Sequence, residues 1–428
     1  MRTLPSSPDS GTDPGLALLP FRGIRYAPDH VSAIADVTSP PYDVIGTGTL
    51  DELLAAEPHN IVRLILPGGD AAAAAASLRA WLRSGVLVRD AVPALYIYQQ
   101  NGPGFLQRGL IGLVGVGGPA IHPHENVMPG PVAGRRELMA ATEANLEPIF
   151  LVYNGSGGSG SGGSASGLVD EVATREQPFL ETVTSDGVTH RLWRVTDPAA
   201  HASVAADLAG RTALIADGHH RYAAYEQLRT QLRSAGHGDG PWDYGLAFLV
   251  DADAYPPRLG AIHRVLPGLP FASAVSRASA GFTVRELPDD FEAATAGLTD
   301  AARGGPAFLL AGRGGFRLLD SPDPARLASV MPADTSQRWR SLDAAVLQEL
   351  LLADVWGIRD NEHDVLISHD AHEAVSMARD ADGTAVVCNP VPFPVVREIA
   401  AHGECVPRKS TSFGPKPRTG LVLRTFGG

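Results

Sequence analysis

The chain almost lacks lysine. Of its 35 basic residues only Lys409 and Lys416 are lysine, and the rest are arginine. Such a bias toward Arg, Ala and Gly is that of a GC-rich genome, in which ordinary surface lysines drift to arginine. A position that stays lysine asks for a compact ammonium with three donors on a flexible stem, which a planar guanidinium does not replace. That chemistry suits a phosphate or carboxylate in a tight pocket. Chance survival is the alternative. Both lysines lie in Pro407-Arg408-Lys409-Ser410-Thr411-Ser412-Phe413-Gly414-Pro415-Lys416-Pro417-Arg418. Their clustering around a Ser-Thr pair in a Pro/Gly-stiffened loop favours function.

Cysteine is nearly as scarce. Cys388 and Cys405 make neither a disulfide framework nor a zinc spacing, and reduced thiols fit a cytoplasmic protein. Positive charge is short too. A net charge of −12 argues against a nucleic-acid partner bound through phosphate neutralisation. No apolar run approaches the roughly 20 residues that span a bilayer, and the first ten residues carry no apolar signal core, so no membrane partner is expected. An apolar content of 44% in 428 residues leaves ample material for a large core. Oligomeric state is not legible.

Strand and helix signals alternate without a strict repeat. Residues 94–98 and 109–114 read as strands joined through an Asn101-Gly102-Pro103-Gly104 turn. A helix is expected over 71–83, with Leu78, Trp81 and Leu82 on one face. Further strands are expected at 145–153, 190–195, 212–216, 244–250, 259–265, 384–388 and 420–424, a hairpin at 307–319, and helices at 222–234, 342–352, 371–379 and 395–402. The fold class is mixed α/β (α+β). The expected organisation is a disordered tail (1–18), an N-terminal α/β part (19–153), a flexible Gly/Ser stretch (154–167), a core (168–265), an Ala-rich inserted segment (266–345) and a C-terminal α/β part (346–428).

The strongest constellation is Ala216-Asp217-Gly218-His219-His220-Arg221-Tyr222, where an apolar strand meets a helix. Uncapped amides and a positive dipole make a helix start an anion site. Gly218 lets the backbone approach a phosphate, and Arg221 offers a fork of donors. Asp217 and the two histidines stand where a reacting group would be. Read structurally instead, Asp217 caps the helix and the histidines are polar turn residues. His122-Pro123-His124-Glu125 offers metal ligands or, in Glu125, a general base. A solvated loop explains it equally well. In Ser39-Pro40-Pro41-Tyr42-Asp43-Val44-Ile45 the prolines fix how Tyr42 and Asp43 are presented, and Asn60 follows in a polar stretch. His263-Arg264 places a polar pair within an apolar strand, and Asp343 reads as a helix N-cap.

With Pro40–Ile45, His124-Glu125, Asp217–Tyr222, His263-Arg264 and Lys409–Lys416 in this order, the chain resembles the bacterial and archaeal DUF1015 family over roughly residues 21–426. Two features depart from its pattern. The Gly/Ser stretch replaces an ordinary loop, and Cys405-Val406 stands where a charged residue and Met are usual. More remotely, the Asp217–Arg221 turn is similar to the phosphate-binding turn of the ParB/sulfiredoxin-like fold, which includes partition proteins, sulfiredoxin and free-serine kinases. The resemblance implies a nucleotide-binding core of that kind with large elaborations. Sulfiredoxin's cysteine has no counterpart in this turn, which disfavours sulfinic-acid repair.

The expected function is a kinase that uses ATP or ADP with Mg²⁺ on a small hydroxyl metabolite, such as free serine or a similar hydroxy amino acid. Catalytic roles fall to Asp217, Glu125, His219 and His220. Phosphate contacts fall to Gly218, Arg221, Lys409, Ser410, Thr411 and Lys416, and substrate contacts to Tyr42, Asp43, Asn60 and His124. No protein metal site is assigned. The alternatives are a CTP- or ATP-binding regulatory switch and a metal-dependent hydrolase using His122, His124, His219 and His220.

Overall fold

Apolar strands that lie between two covered faces read as unbroken runs, and Ile149–Tyr153 and Ala213–Asp217 are buried along their whole length. A computed structural model describes residues 15–155, 163–359, 361 and 363–427. Their architecture is mixed α/β, as expected, in two units. The first comprises residues through His122, Val127–Pro256 and the chain from Pro415. The second comprises Pro123–Asn126 and Pro257–Gly414.

Nine strands form the sheet of the first unit. In chain order they are β1 (Leu18–Leu19), β2 (Leu95–Gly102), β3 (Phe105–Gly115), β4 (Ile121–His122), β5 (Ile149–Tyr153), β6 (Leu180–Val183), β7 (Thr189–Val195), β8 (Ala213–Asp217) and β9 (Tyr244–Asp251). Their spatial order is β4-β8-β5-β9-β3-β2-β7-β6, with β1 beside β3. The β4–β8 and β5–β9 pairs are parallel and the others antiparallel. The expected hairpin is β2–β3, closed at Gly102 and Phe105. Helix α1 (Ala71–Ser84) starts where Asp70 accepts from the Ala73 amide at 2.8 Å and stops at Gly85, whose φ is 80°. Helix α2 (Pro129–Thr142) packs against α4 (His219–Ser234), and α3 (Ser164–Arg175) lies between them in sequence. Leu110, Ile149, Leu151, Ile215, Tyr222 and Leu249 belong to the core under this sheet.

The second unit has a six-stranded sheet from His263–Leu266, Thr283–Leu287, Phe308–Gly312, Gly315–Asp320, Leu366–Ser368 and Thr384–Cys388, all neighbours antiparallel. The segments expected separately as 266–345 and 346–428 thus share one sheet and one core, around Val265, Leu309, Phe316, Ala374 and Val387. A separate two-stranded ribbon pairs Arg258–Gly260 with Ser412–Gly414. Among the described residues no helix is long and apolar enough to cross a membrane.

Several local expectations change. The tail of 1–18 lies outside the described residues up to 14, but Leu16 and Leu18 are buried and β1 pairs with β3. Of the stretch 154–167, residues 156–162 lie outside the described residues, while α3 begins within it at Ser164. Distant acids hold that start. Asp207 accepts from the Ala165 amide at 2.9 Å, and Asp251 accepts from the Ser166 hydroxyl. The run 259–265 divides between two sheets, because Arg258–Gly260 pairs with Ser412–Gly414 while His263 begins the larger sheet. Asp343 is not an N-cap but the first helical residue, after Leu342, and burial pushes its carboxyl up to about 6. The final strand shrinks to Arg424–Thr425, with an isolated bridge at Leu423.

Candidate functional site

Strand β8 ends in a register shift against β5. Ile215 faces Leu151, whereas Asp217 faces Phe150. Such an irregularity re-aims the last side chain of a strand. Gly218 follows with φ of 95°, and helix α4 starts at once with His219, three residues earlier than expected. A Cβ on Gly218 would lie 3.0 Å from Ile149 Cγ2 and 3.1 Å from Arg221 Nε, so both conformation and space favour glycine. No side chain caps this helix. Asp217, the residue expected to cap it, is engaged elsewhere. A helix start without a side-chain cap is the kind of place where amides and dipole can hold an anion.

Lys416 reaches the turn from the C-terminal loop. Its Nζ lies 2.6 Å from Asp217 Oδ1 and 2.5 Å from Asp43 Oδ2. Asp217 Oδ2 pairs with Arg221. Burial raises the Asp217 carboxyl, but Lys416 and Arg221 outweigh it and hold the group below its ordinary value. Burial likewise depresses the Lys416 ammonium, and Asp217 and Asp43 reverse the shift. Both groups stay charged across the neutral range.

Arg221 is 3% exposed and donates to the Pro148 carbonyl at 2.7 Å as well as to Asp217. Sequence reasoning gave it to a phosphate. It is instead a buried partner that fixes Asp217. Behind it, Glu147 accepts from the Tyr42 amide at 3.1 Å and from the Thr419 hydroxyl at 3.2 Å, with Arg135 Nη1 at 3.9 Å. Burial raises the Glu147 carboxyl despite Arg221 and Arg135. The Arg135 guanidinium stands over the Tyr42 ring, 4.2 Å from its centroid.

His219 is 7% exposed. Burial, then the neighbouring His220, pushes its pKa down to about 3, so it is neutral at pH 7. His220 Nε2 accepts from the Met128 amide at 3.1 Å. The two residues beyond Pro417 position Lys416. Arg418 donates from Nε to Thr38 Oγ1 at 3.0 Å and from its amide to the Tyr98 hydroxyl at 3.2 Å, and Thr419 bridges Ser39.

His124, Glu125, Lys409, Ser410 and Thr411 belong to the second unit. His124 is 1% exposed, and its Nε2 is 2.9 Å from Thr411 Oγ1. Glu125 accepts from the Lys409 amide at 3.2 Å. Lys409 has φ of 53°, rare for a side-chain-bearing residue, and its side chain is exposed. The Ser410 hydroxyl is turned inward onto the Pro407 carbonyl. Arg264 holds the loop by donating to the Arg408 and Lys409 carbonyls at 3.0 and 3.1 Å.

One substrate residue needs correction. Asn60 is fully buried, donating to Asp36 O at 2.6 Å and accepting from the Val62 amide at 3.0 Å, so it ties the backbone and faces no ligand. Sequence reasoning missed Arg135, Glu147 and Arg418. The one local signal was Glu147-Pro148 set directly before an apolar strand. Among the described residues no group of three or more His, Cys, Asp or Glu is arranged to hold a metal ion.

Residues 18–345 match the family described as "Protein of unknown function (DUF1015)", and the chain belongs to that family. The match ends before the loop that carries both lysines. No curated protein matches. Solved structures similar to the chain include a mutant free serine kinase in complex with AMP, at 14% identity over 71% of this chain and 89% of that one, with a TM-score of 0.36. Another is SbnI with a C-terminal truncation from Staphylococcus aureus, at 11% identity over 73% and 85%, TM-score 0.35. A third is a conserved hypothetical protein from Pyrococcus furiosus, at 14% identity over 71% and 90%, TM-score 0.35. At such scores the likeness assigns neither fold nor activity.

Proposed function

We propose that this DUF1015 protein is a nucleotide-dependent phosphotransferase acting on a small hydroxyl metabolite, with a ParB/sulfiredoxin-like core around its strand-to-helix turn. One observation carries the reading: the Lys416 ammonium sits between Asp43 and Asp217 at the uncapped start of α4. Phosphoryl transfer needs positioning and charge neutralisation more than covalent chemistry. In this reading the Gly218–His220 backbone receives phosphate oxygens and Lys416 neutralises them. Asp217, a weak base because its pKa is depressed, holds Lys416 in place, and Arg221 holds Asp217. Asp43 is the more exposed carboxylate of the pair and faces the acceptor, with Tyr42 beside it.

Mg²⁺ fits as an ion that arrives with the nucleotide. Both oxygens of Asp217 are engaged, which leaves Asp43 as the carboxylate able to meet it. An ion held mainly by phosphates and water asks for no more. It would neutralise phosphate charge.

The test is ³¹P NMR of ATP or ADP with Mg²⁺, the full chain and a panel of small hydroxy compounds that includes hydroxy amino acids. A new phosphomonoester signal that appears with one acceptor and vanishes in Lys416→Met supports the reading. Binding without transfer to any acceptor would favour the regulatory switch. No nucleotide binding at all would end both.

A further inference from the structure

A cleft of about 560 Å³ opens in the first unit away from the Gly218 turn. That volume lies in the range of small-molecule sites. Its walls are unlike in chemistry. Leu16, Val116, Ile121 and Tyr244 supply apolar surface, and Arg229 and Arg233 supply charge. Both guanidiniums lean on one oxygen, Asp243 Oδ1, each from Nε at 2.9 Å. Asp239 also pairs with Arg233, so two carboxylates answer the two cations, and Arg229 is left with only a shared one. The further partner of Arg233, Asp239, is 80% exposed and well screened. Among the described residues Arg229 donates only from Nε, and its side chain is 28% exposed, so its Nη edge keeps its donors for something else. The β3–β4 connection forms another wall. A Cβ on Gly115 or Gly118 would meet nothing within 4 Å, so a larger side chain has room there.

We propose that this cleft binds an organic monoanion with a flat apolar body, a carboxylate on an aromatic or extended hydrocarbon frame. The anion meets the Nη edge of Arg229 and the body lies along Leu16, Val116 and Tyr244. The site is separate from the nucleotide turn: Arg229 is ten residues beyond His219 on α4, about 15 Å along the helix at 1.5 Å per residue. The two ends remain joined, since the Gly117 amide in the cleft wall donates to the Tyr222 hydroxyl at 3.2 Å, one residue beyond Arg221.

The probes are 1-naphthoate and its neutral relative 1-naphthamide, titrated calorimetrically into the full chain. Naphthoate is expected to bind with Kd of about 1 mM or tighter, and naphthamide at least tenfold more weakly. Arg229→Gln should weaken naphthoate about tenfold and leave naphthamide and nucleotide affinities unchanged. Gly118→Phe should abolish naphthoate binding by filling the cleft, which keeps the test intact if the arginine variant is poorly folded. Absent naphthoate binding, equal affinity for the two probes, or unchanged naphthoate affinity in folded Gly118→Phe protein would each overturn the proposal.

Discussion

At the scale of single residues the site is a chain of charges in which each member fixes the next. Glu147 and Pro148 hold Arg221, Arg221 holds Asp217, and Asp217 with Asp43 holds Lys416. Burial makes that order costly to break. Arg221→Ala leaves Asp217 with one cation and should destabilise the protein by about 3–5 kcal/mol, the scale for stripping one partner from a buried pair. Urea unfolding checks it, and a loss below about 1 kcal/mol would mean Asp217 is solvated. Gly218→Ala forces a side chain into φ of 95° beside Ile149 and should cost more than about 1 kcal/mol in the same assay. The two-lysine pattern did point to a residue that reaches the Asp217 turn, in Lys416. Arg135 and Glu147 escaped notice because their meaning arises from contacts such as Glu147 with Tyr42, 105 residues away in sequence.

At the scale of elements, what was legible was local. The hairpin, α1 and the strand Thr384–Cys388 stand where turn residues, caps and apolar runs put them. The helices Phe271–Ala278 and Phe291–Ala301 were passed over in a stretch read only as Ala-rich, although each buries one face, at Ala274 and Ala278 and at Ala294 and Leu298. The start of α3 shows the opposite failure. Ser164-Ala165-Ser166 looks like linker, yet Asp207 and Asp251, distant in sequence, turn it into helix. Ser166→Ala should therefore cost about 1–3 kcal/mol, as expected when a buried carboxylate loses a donor. Doubling residues 156–162 with their own sequence should cost only about 0.6 kcal/mol. Thermal melts of the two variants compare these directly, and a larger loss from the insertion would contradict the distinction.

At the scale of the whole molecule, three buried histidines set a pH dependence. Burial lowers His219 to about 3, and His190 and His263 to about 4, all from 6.5. The unfolded chain then takes up protons first as the pH falls below 6.5. Stability should drop from there toward pH 4, each histidine adding a slope of at most about 1.4 kcal/mol per pH unit. The urea midpoint should fall between pH 6.5 and 5, less steeply in His219→Gln. A flat midpoint over that interval would show the histidines already protonated in the fold.

The central claim, that a nucleotide's phosphates meet Lys416 at the start of α4, is tested most directly by calorimetric titration of ATP with Mg²⁺ into the wild type and Lys416→Arg. The two proteins carry equal charge, so what differs is the shape of the cation, and circular dichroism checks that the variant folds. The ammonium fits between two carboxylates where a longer planar fork does not. The expected result is saturable binding by the wild type and at least tenfold weaker binding by Lys416→Arg, about 1.4 kcal/mol. Equal affinities in the two proteins would contradict the assignment.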